Sequence, residues 1–379
     1  LENVAHTLTA LALARSGLNR STPLATTALL AGANLPDIDL AWSMHTELSY
    51  LHFHRGWTHA FSGVAVGSLV LWALLLAVDR FRRARSPAVA PARPLPLLLA
   101  CWIGIGSHFL LDLMNAYGVR PFLPWSEDWF YGDLWYIVDP WLWLMLGGAV
   151  YLAGRGGKLR SGLWAFSALS ITALMIALPA TLIPSGARAV WISGIALAVL
   201  LARLQADGAR ARAVCRAALA GVVVYAVLCA GAHRIALGRL ERLANAELGA
   251  GRPRSTAAIP RFADPLHWDG LVGDPDTVRY RMVGLLPALD PQRSSFRVFP
   301  RRFDRAEVRN VLDSCPGRVL MEFFRFPFAT VEDGADGERR VVVRDARYAR
   351  GRRDSFGSFA IPLKDDGTPD LESIRCPLD

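Results

Sequence analysis

The chain is poor in cysteine and in charge. Five cysteines in 379 residues are too few for a disulfide-built scaffold. Charged residues make up 20% of the chain and hydrophobic ones 53%, a balance that excludes an intrinsically disordered protein. The first apolar run, Val4–Gly17, lacks a basic start and carries His6, so it does not have the form of a secretory signal. The region from about residue 251 has no G-x-G-x-x-G, no P-loop and no cysteine pair at metal spacing.

What is present is apolar length. The mean hydropathy is +0.27, high for so long a chain. The formal net charge is +9, which fits either nucleic-acid binding or basic cytoplasmic loops of a membrane protein. Position decides between them. Charges are sparse up to residue 233 and dense after it, where basic and acidic residues are interspersed. The C-terminal segment therefore offers no nucleic-acid patch, and none is expected as a partner.

A membrane-crossing helix needs about 20 apolar residues. His59–Val78, Leu95–Asn115, Ser161–Ile183 and Ala213–His233 reach or approach that length. Trp141–Gly154 and Ala187–Ala202 are shorter, and Val4–Gly17 and Pro23–Pro36 shorter still. Each of the last two can be a short span, a re-entrant helix or an interfacial helix. The predicted fold class is mainly α. It comprises a polytopic helical membrane domain and a small C-terminal extramembrane domain, α+β or mainly β. Residues 1–150 form the site-bearing region, 151–233 add further spans, and 234–379 hold a linker helix and the extramembrane domain.

Positive residues mark cytoplasmic loops. Arg80, Arg82, Arg83, Arg85 and Arg93 follow the first long span. Arg155, Lys158 and Arg160 mark a second basic loop, and Arg203, Arg210, Arg212 and Arg216 a third. The loop 116–138 has one arginine and carries Glu127, Asp128 and Asp133, which puts it outside. The C-terminal domain then also lies on the extracytoplasmic face of a bacterial-type inner membrane. Tryptophans and tyrosines crowd 125–143, either as a membrane anchor or as a substrate-facing surface.

Four segments carry chemistry: His6 in V-A-H-T; Asp37 and Asp39 in L-P-D-I-D; His52, His54, Arg55 and His59 in H-F-H-R-G-W-T-H; and His108 and Asp112 in S-H-F-L-L-D. Asp139 follows in Y-I-V-D-P-W. His108 and Asp112, four apart, share one face of a helix. Asp37 and Asp39 aim the same way only if their stretch is extended. His54 and His59 converge only if one precedes a helix, and Thr58 is a candidate N-cap with His59 in the first turn. If Val4–Gly17 and Pro23–Pro36 are short spans, His6 and Asp37 return to the outer side and all these groups gather at that face. Histidine and carboxylate donors without cysteine suit zinc, with manganese or iron as alternatives, at one or two ions. Arg55 matches an anionic oxygen, or serves a structural ion pair with Asp37 or Asp39.

The early His, L-P-D-I-D, H-R-G-W-T-H, and S-H-F-L-L-D followed by Y-G-V-R-P together resemble the YdjM-type family, membrane-bound metal-dependent hydrolases. The resemblance covers roughly residues 1–150. That family is in turn distantly similar to zinc-dependent phospholipase C and P1-type nucleases, which use a His/Asp cluster with an H-x-x-x-D pair. The resemblance implies metal ligands at His108 and Asp112, then His59, His54, Asp39 and His6. The step to phospholipase C is fold-level analogy and says little about substrate; a shallow site at the headgroup level suits hydrolysis of a phosphoester or related bond in a lipid-like or small anionic substrate at the bilayer. Asp37 or Asp139 would act as general base and Arg55 would bind the anion. The alternative is a non-catalytic membrane protein with a structural metal site, or a scaffold acting through its C-terminal domain.

In the C-terminal domain, R-Y-R-M-V-G-L-L, R-V-L-M-E-F-F-R-F and R-V-V-V-R-D-A-R-Y alternate or are β-branched and predict strands. Cys315 and Cys376 form a disulfide if the domain is extracytoplasmic. Cys101, Cys215 and Cys229 sit in apolar spans as packing residues, and His267 and Asp269 are expected at the surface.

Overall fold

The computed structural model describes all residues except 1, 155–156, 180–181, 203–207, 250–253, 290–294, 335–337, 349–355, 373 and 379. Arg155 and Arg203 of the predicted basic loops lie outside the described residues. The chain divides into two compact units. The first comprises Leu1–Ile38, Arg55–Gly231 and Pro260–Pro265; the second comprises Asp39–His54, Ala232–Ile259 and Leu266–Asp379.

The first unit opens with α1 (Asn3–Arg15), capped by the Glu2 carboxylate, and α2 (Ala25–Gly32). A 3-10 turn over Pro36–Asp39 follows. The long pair α5 (Phe61–Arg85) and α6 (Pro94–Leu113) comes later; the short helices α3 (Leu40–Ser43) and α4 (Glu47–Phe53) precede them in sequence and belong to the second unit. Arg82, Arg83 and Arg85 close α5 where its exposed carbonyls favour cations. Pro94 opens α6, where no amide proton is needed. Buried Asp79 ties the connection down, accepting from Arg83 Nε at 3.0 Å and from the Ala92 amide at 3.2 Å.

α2 and α6 touch backbone to backbone. A Cβ on Gly104 would meet the Leu29 carbonyl at 2.9 Å, and one on Gly32 would meet the Ile105 amide nitrogen at 3.0 Å. Small residues allow such close helix approach inside membranes. The core around it is formed by Ala28, Leu29, Leu97, Cys101 and Ile105.

Next come α7 (Pro140–Leu142), a π turn over Trp143–Gly147 and α8 (Gly148–Leu152). α9 (Lys158–Ala177), α10 (Ser185–Ala202) and α11 (Gly208–Leu248) complete the helical part. Three helices among the described residues are long and apolar enough to cross a membrane: α5, α6 and α11. The predicted span Ser161–Ile183 is shortened: its apolar helix ends at Ala177, two residues before Pro179. A proline cannot continue a helix and disfavours helical backbone in the residue before it.

The second unit holds two antiparallel sheets, ordered β1-β2-β3-β4 and β5-β6-β7. The strands are β1 (Ser255–Arg261), β2 (Asp264–Gly273), β3 (Thr277–Gly284), β4 (Arg297–Pro300), β5 (Pro327–Asp333), β6 (Arg339–Asp345) and β7 (Ser358–Pro362). β2 and β3 pair from His267 opposite Gly284 to Gly273 opposite Val278. Their connection, Asp274-Pro275-Asp276, is built for a tight turn: Asp274 Oδ1 accepts from the Thr277 and Asp276 amides at 2.7 and 3.0 Å. Leu240 and Ala244 of α11 pack on Val272 and Val283 of this sheet.

Helices α12 (Ala306–Asp313) and α13 (Cys315–Phe323) lie between β4 and β5. α13 corrects a sequence expectation, because R-V-L-M-E-F is helical. Ser314 caps it and Pro316 occupies its first turn, start signals that outweigh the apolar run. Asp269, expected at the surface, is buried and accepts from the Tyr280 hydroxyl at 2.9 Å. Cys315 and Cys376 are disulfide-bonded.

Candidate metal centre

The site is built from four stretches of the first unit: α1, the turn after α2, the segment leading into α5, and the last turn and a half of α6. His108 and Asp112 sit one above the other on α6, as their spacing requires. Both are fully buried, as are His6 and His59.

His59 differs from expectation. It lies in a 3-10 turn over Trp57–His59, and α5 starts only at Phe61 with Ala60 at its cap. Thr58 is therefore not the helix cap. Its hydroxyl lies 2.9 Å from His59 Nδ1 and orients that ring instead. Gly63 makes the turn possible, since a Cβ there would sit 2.0 Å from the Trp57 carbonyl oxygen.

The donors converge. His59 Nε2 and His108 Nε2 are 3.0 Å apart. Asp112 Oδ2 lies 3.2 Å from the first and 3.4 Å from the second, and Asp37 Oδ1 lies 3.5 Å from both. One donor atom from each of these four residues falls within 4.8 Å of every other. Asp37 comes from a 3-10 turn, not an extended stretch. It alone of the four is only partly buried. Burial pushes its carboxyl up, but His108 and His59 outweigh that and hold it well below the usual carboxylate range.

The surroundings fix these groups. His108 Nδ1 is 2.8 Å from the Ala33 carbonyl, which can only accept. In the neutral ring the proton therefore sits on Nδ1, and Nε2 presents its lone pair to the cluster. Two imidazole nitrogens and two carboxylates facing one another in a buried space suit a cation between them. The residues present fit a divalent ion with nitrogen and oxygen ligands.

Asp112 divides its two oxygens. Oδ2 faces His59 and His108, whereas Oδ1 takes Arg55 Nη2 at 3.1 Å and lies 3.3 Å from His6 Nε2. The His6 ring stacks on His108 with centroids 3.8 Å apart. Arg55 is buried, and its Nη1 donates to Asn115 Oδ1 at 2.9 Å. Its guanidinium covers the Tyr117 ring at 4.6 Å. Its backbone is left-handed at φ 61°, a conformation that costs an arginine energy and is repaid by these bonds. Arg55 thus acts on a candidate ligand carboxylate, a contact the sequence did not indicate. Asn115, Thr58 and the Ala33 carbonyl are the orienting groups that sequence reasoning missed. Thr58 drew attention only as a cap, and neither Asn115 nor a main-chain carbonyl has a spacing signal.

Asp39 and His54 belong to the second unit, where His54 Nδ1 is 3.0 Å from Asp39 Oδ1 and the ring stacks on Tyr50. His52 contacts Glu322 there at 3.1 Å. Asp139 is the N-cap of α7: Oδ1 accepts from the Trp141 and Leu142 amides, and Oδ2 from the Tyr225 hydroxyl at 3.0 Å. It belongs to no group of potential metal ligands among the described residues.

Residues 1–183 match the family described as YdjM inner membrane protein. The YdjM-type region thus carries the whole four-residue cluster. A curated relative, the uncharacterized protein YfhP of Bacillus subtilis (strain 168), is 28% identical over 131 residues. That stretch is 35% of this chain and 37% of the relative's own length. No solved structure matches.

Proposed function

We propose that the protein is a membrane-bound metal-dependent hydrolase. Its substrate would carry a phosphoester or related bond and be lipid-like or membrane-proximal. The observation that carries this reading is the convergence of Asp37, His59, His108 and Asp112 within 4.8 Å. The ion fitting that donor set best is zinc, with manganese or iron as alternatives. A divalent ion bound there would supply Lewis acidity and lower the pKa of a water.

The chain's own residues divide the remaining work. His59, His108 and Asp112 hold the ion. Arg55 and His6 hold Asp112 in place from its far oxygen. Asp37, the partly exposed member, is positioned to orient or accept a proton at the mouth of the site. Asp139, engaged in capping α7, is a weaker choice of base. The predicted orientation puts this end of α5 and α6 on the extracytoplasmic face. The Cys315–Cys376 disulfide supports the same side for the second unit, because such bonds persist in oxidising compartments.

The full burial of His59, His108 and Asp112 also favours a second reading, a structural ion without catalysis. The experiment treats both. Metal content is measured by elemental mass spectrometry on detergent-purified protein, wild type beside His108→Ala/Asp112→Ala. Near-stoichiometric metal lost in the double variant is expected. Phosphoester and phospholipid turnover by the loaded wild type then separates hydrolase from structural site. Wild-type protein that takes up no zinc, manganese or iron on reconstitution overturns both.

A further inference from the structure

A groove of about 390 Å³ opens beside the cluster, within the size range of small-molecule sites, roughly 300–1,000 Å³. Its mouth is formed by Pro36 and Thr58, the immediate sequence neighbours of Asp37 and His59. From there it follows one face of α5 through Gly63, Val66, Gly67 and Val70, with Ile105 of α6 as a wall. Its lining is almost wholly apolar. Val66 and Val70 are 61% and 51% exposed on a helix long and apolar enough to cross a membrane. The groove is thus lined at one end by the residues flanking Asp37 and preceding His59, and along its length by exposed apolar side chains of a membrane-length helix.

We propose that this groove takes one acyl chain of a membrane phospholipid, whose headgroup ester then lies at the metal centre. The inference rests on the hydrolase reading for its second half and on the groove alone for its first. A water-soluble phosphoester has no use for an apolar slot inside the bilayer. An almost wholly apolar lining along a membrane-length helix suits a hydrocarbon chain, and Pro36 and Thr58, the sequence neighbours of Asp37 and His59, set which end of the lipid meets the ion. Gly67 keeps the slot open: a Cβ there would rest at ordinary contact distance, 3.4 Å from Ile105 Cδ1, and anything longer would fill the space.

The test uses full-length, metal-loaded protein in phosphatidylglycerol vesicles doped with phosphatidylglycerol bearing a diazirine midway along one acyl chain. After irradiation, adducts are mapped by peptide mass spectrometry. Adducts concentrated on Val66, Val70 and Ile105, relative to Leu69 and Leu74 on the same helix, are expected. Filling the slot with Gly67→Leu, or with Val70→Trp at a position that tolerates bulk, should cut this labelling about tenfold, equivalent to the lost burial of about two methylenes. Metal content should stay at the wild-type level in both variants. Equal labelling of groove and non-groove positions, unchanged by either variant, would overturn the proposal. Groove labelling without any cleavage of the lipid would leave the acyl site standing and sink the hydrolase reading instead.

Discussion

Arg55 is the residue on which the site's charge balance turns. It is buried, holds Asp112 Oδ1 at 3.1 Å and sits in a strained backbone conformation. Breaking a buried pair leaves the partner's charge uncompensated, which costs about 3–5 kcal/mol. Arg55→Gln should therefore lower the melting temperature sharply in detergent, and bound metal should partly restore it because the ion supplies the lost positive charge. A variant melting like wild type without metal would show the pair to be dispensable. Some of this was legible beforehand. The four-residue spacing of His108 and Asp112 fixed their common face by helix geometry alone. The partner of Arg55 was not legible, because Asp112 is 57 residues away and only the packing of α6 against the segment before α5 brings them together.

At the scale of elements, the approach of α2 to α6 sets the position of His108 relative to Ala33 and Asp37. Gly104 touches no candidate ligand, yet Gly104→Val would drive side-chain atoms into the Leu29 and Ala28 carbonyls. Metal stoichiometry should fall by half or more in that variant while Gly106→Ala, with open space around its Cβ position, should bind normally. Equal stoichiometry in the two would disprove the coupling. A second element-scale expectation concerns the β2–β3 turn. Burial pushes the Asp274 carboxyl up, but Arg279, Thr277 and the turn amides bring it down to about 2. Its contribution is therefore complete above the unfolded value near 4 and is lost as the pH falls through about 2. Asp274→Asn should lose less melting temperature than wild type between pH 4 and pH 2, by an amount equivalent to at most about 1 kcal/mol for an ion pair in a surface turn. Asp-Pro-Asp is turn chemistry local in the chain. α13 was not legible, because apolar patterning suited either structure and the Ser314–Pro316 start decided for a helix.

At the scale of the molecule, charge density separated a membrane part from a sheet-rich part, and both exist. Span boundaries were less legible, because apolar runs continue past the prolines that end helices. α11 was more legible: the predicted span Ala213–His233 and the linker helix after it form one helix of 41 residues, about 60 Å long and twice the roughly 30 Å of hydrocarbon it would cross. The disulfide closes a 61-residue separation in the sheet-rich unit, a loop for which chain entropy predicts about 4 kcal/mol. Reductant should accordingly lower the melting temperature of wild type but not of Cys315→Ser/Cys376→Ser, as read by differential scanning fluorimetry; equal sensitivity would count against the bond. Finally, the four converging residues all lie between Asp37 and Asp112. At about 5–20 residues per second, synthesis from Asp112 to the end of β7 takes on the order of ten to fifty seconds. All four donors thus exist long before β7 emerges from the ribosome. Ion capture can begin on a nascent chain, with Asp112, the last of the four to be made, setting the earliest moment.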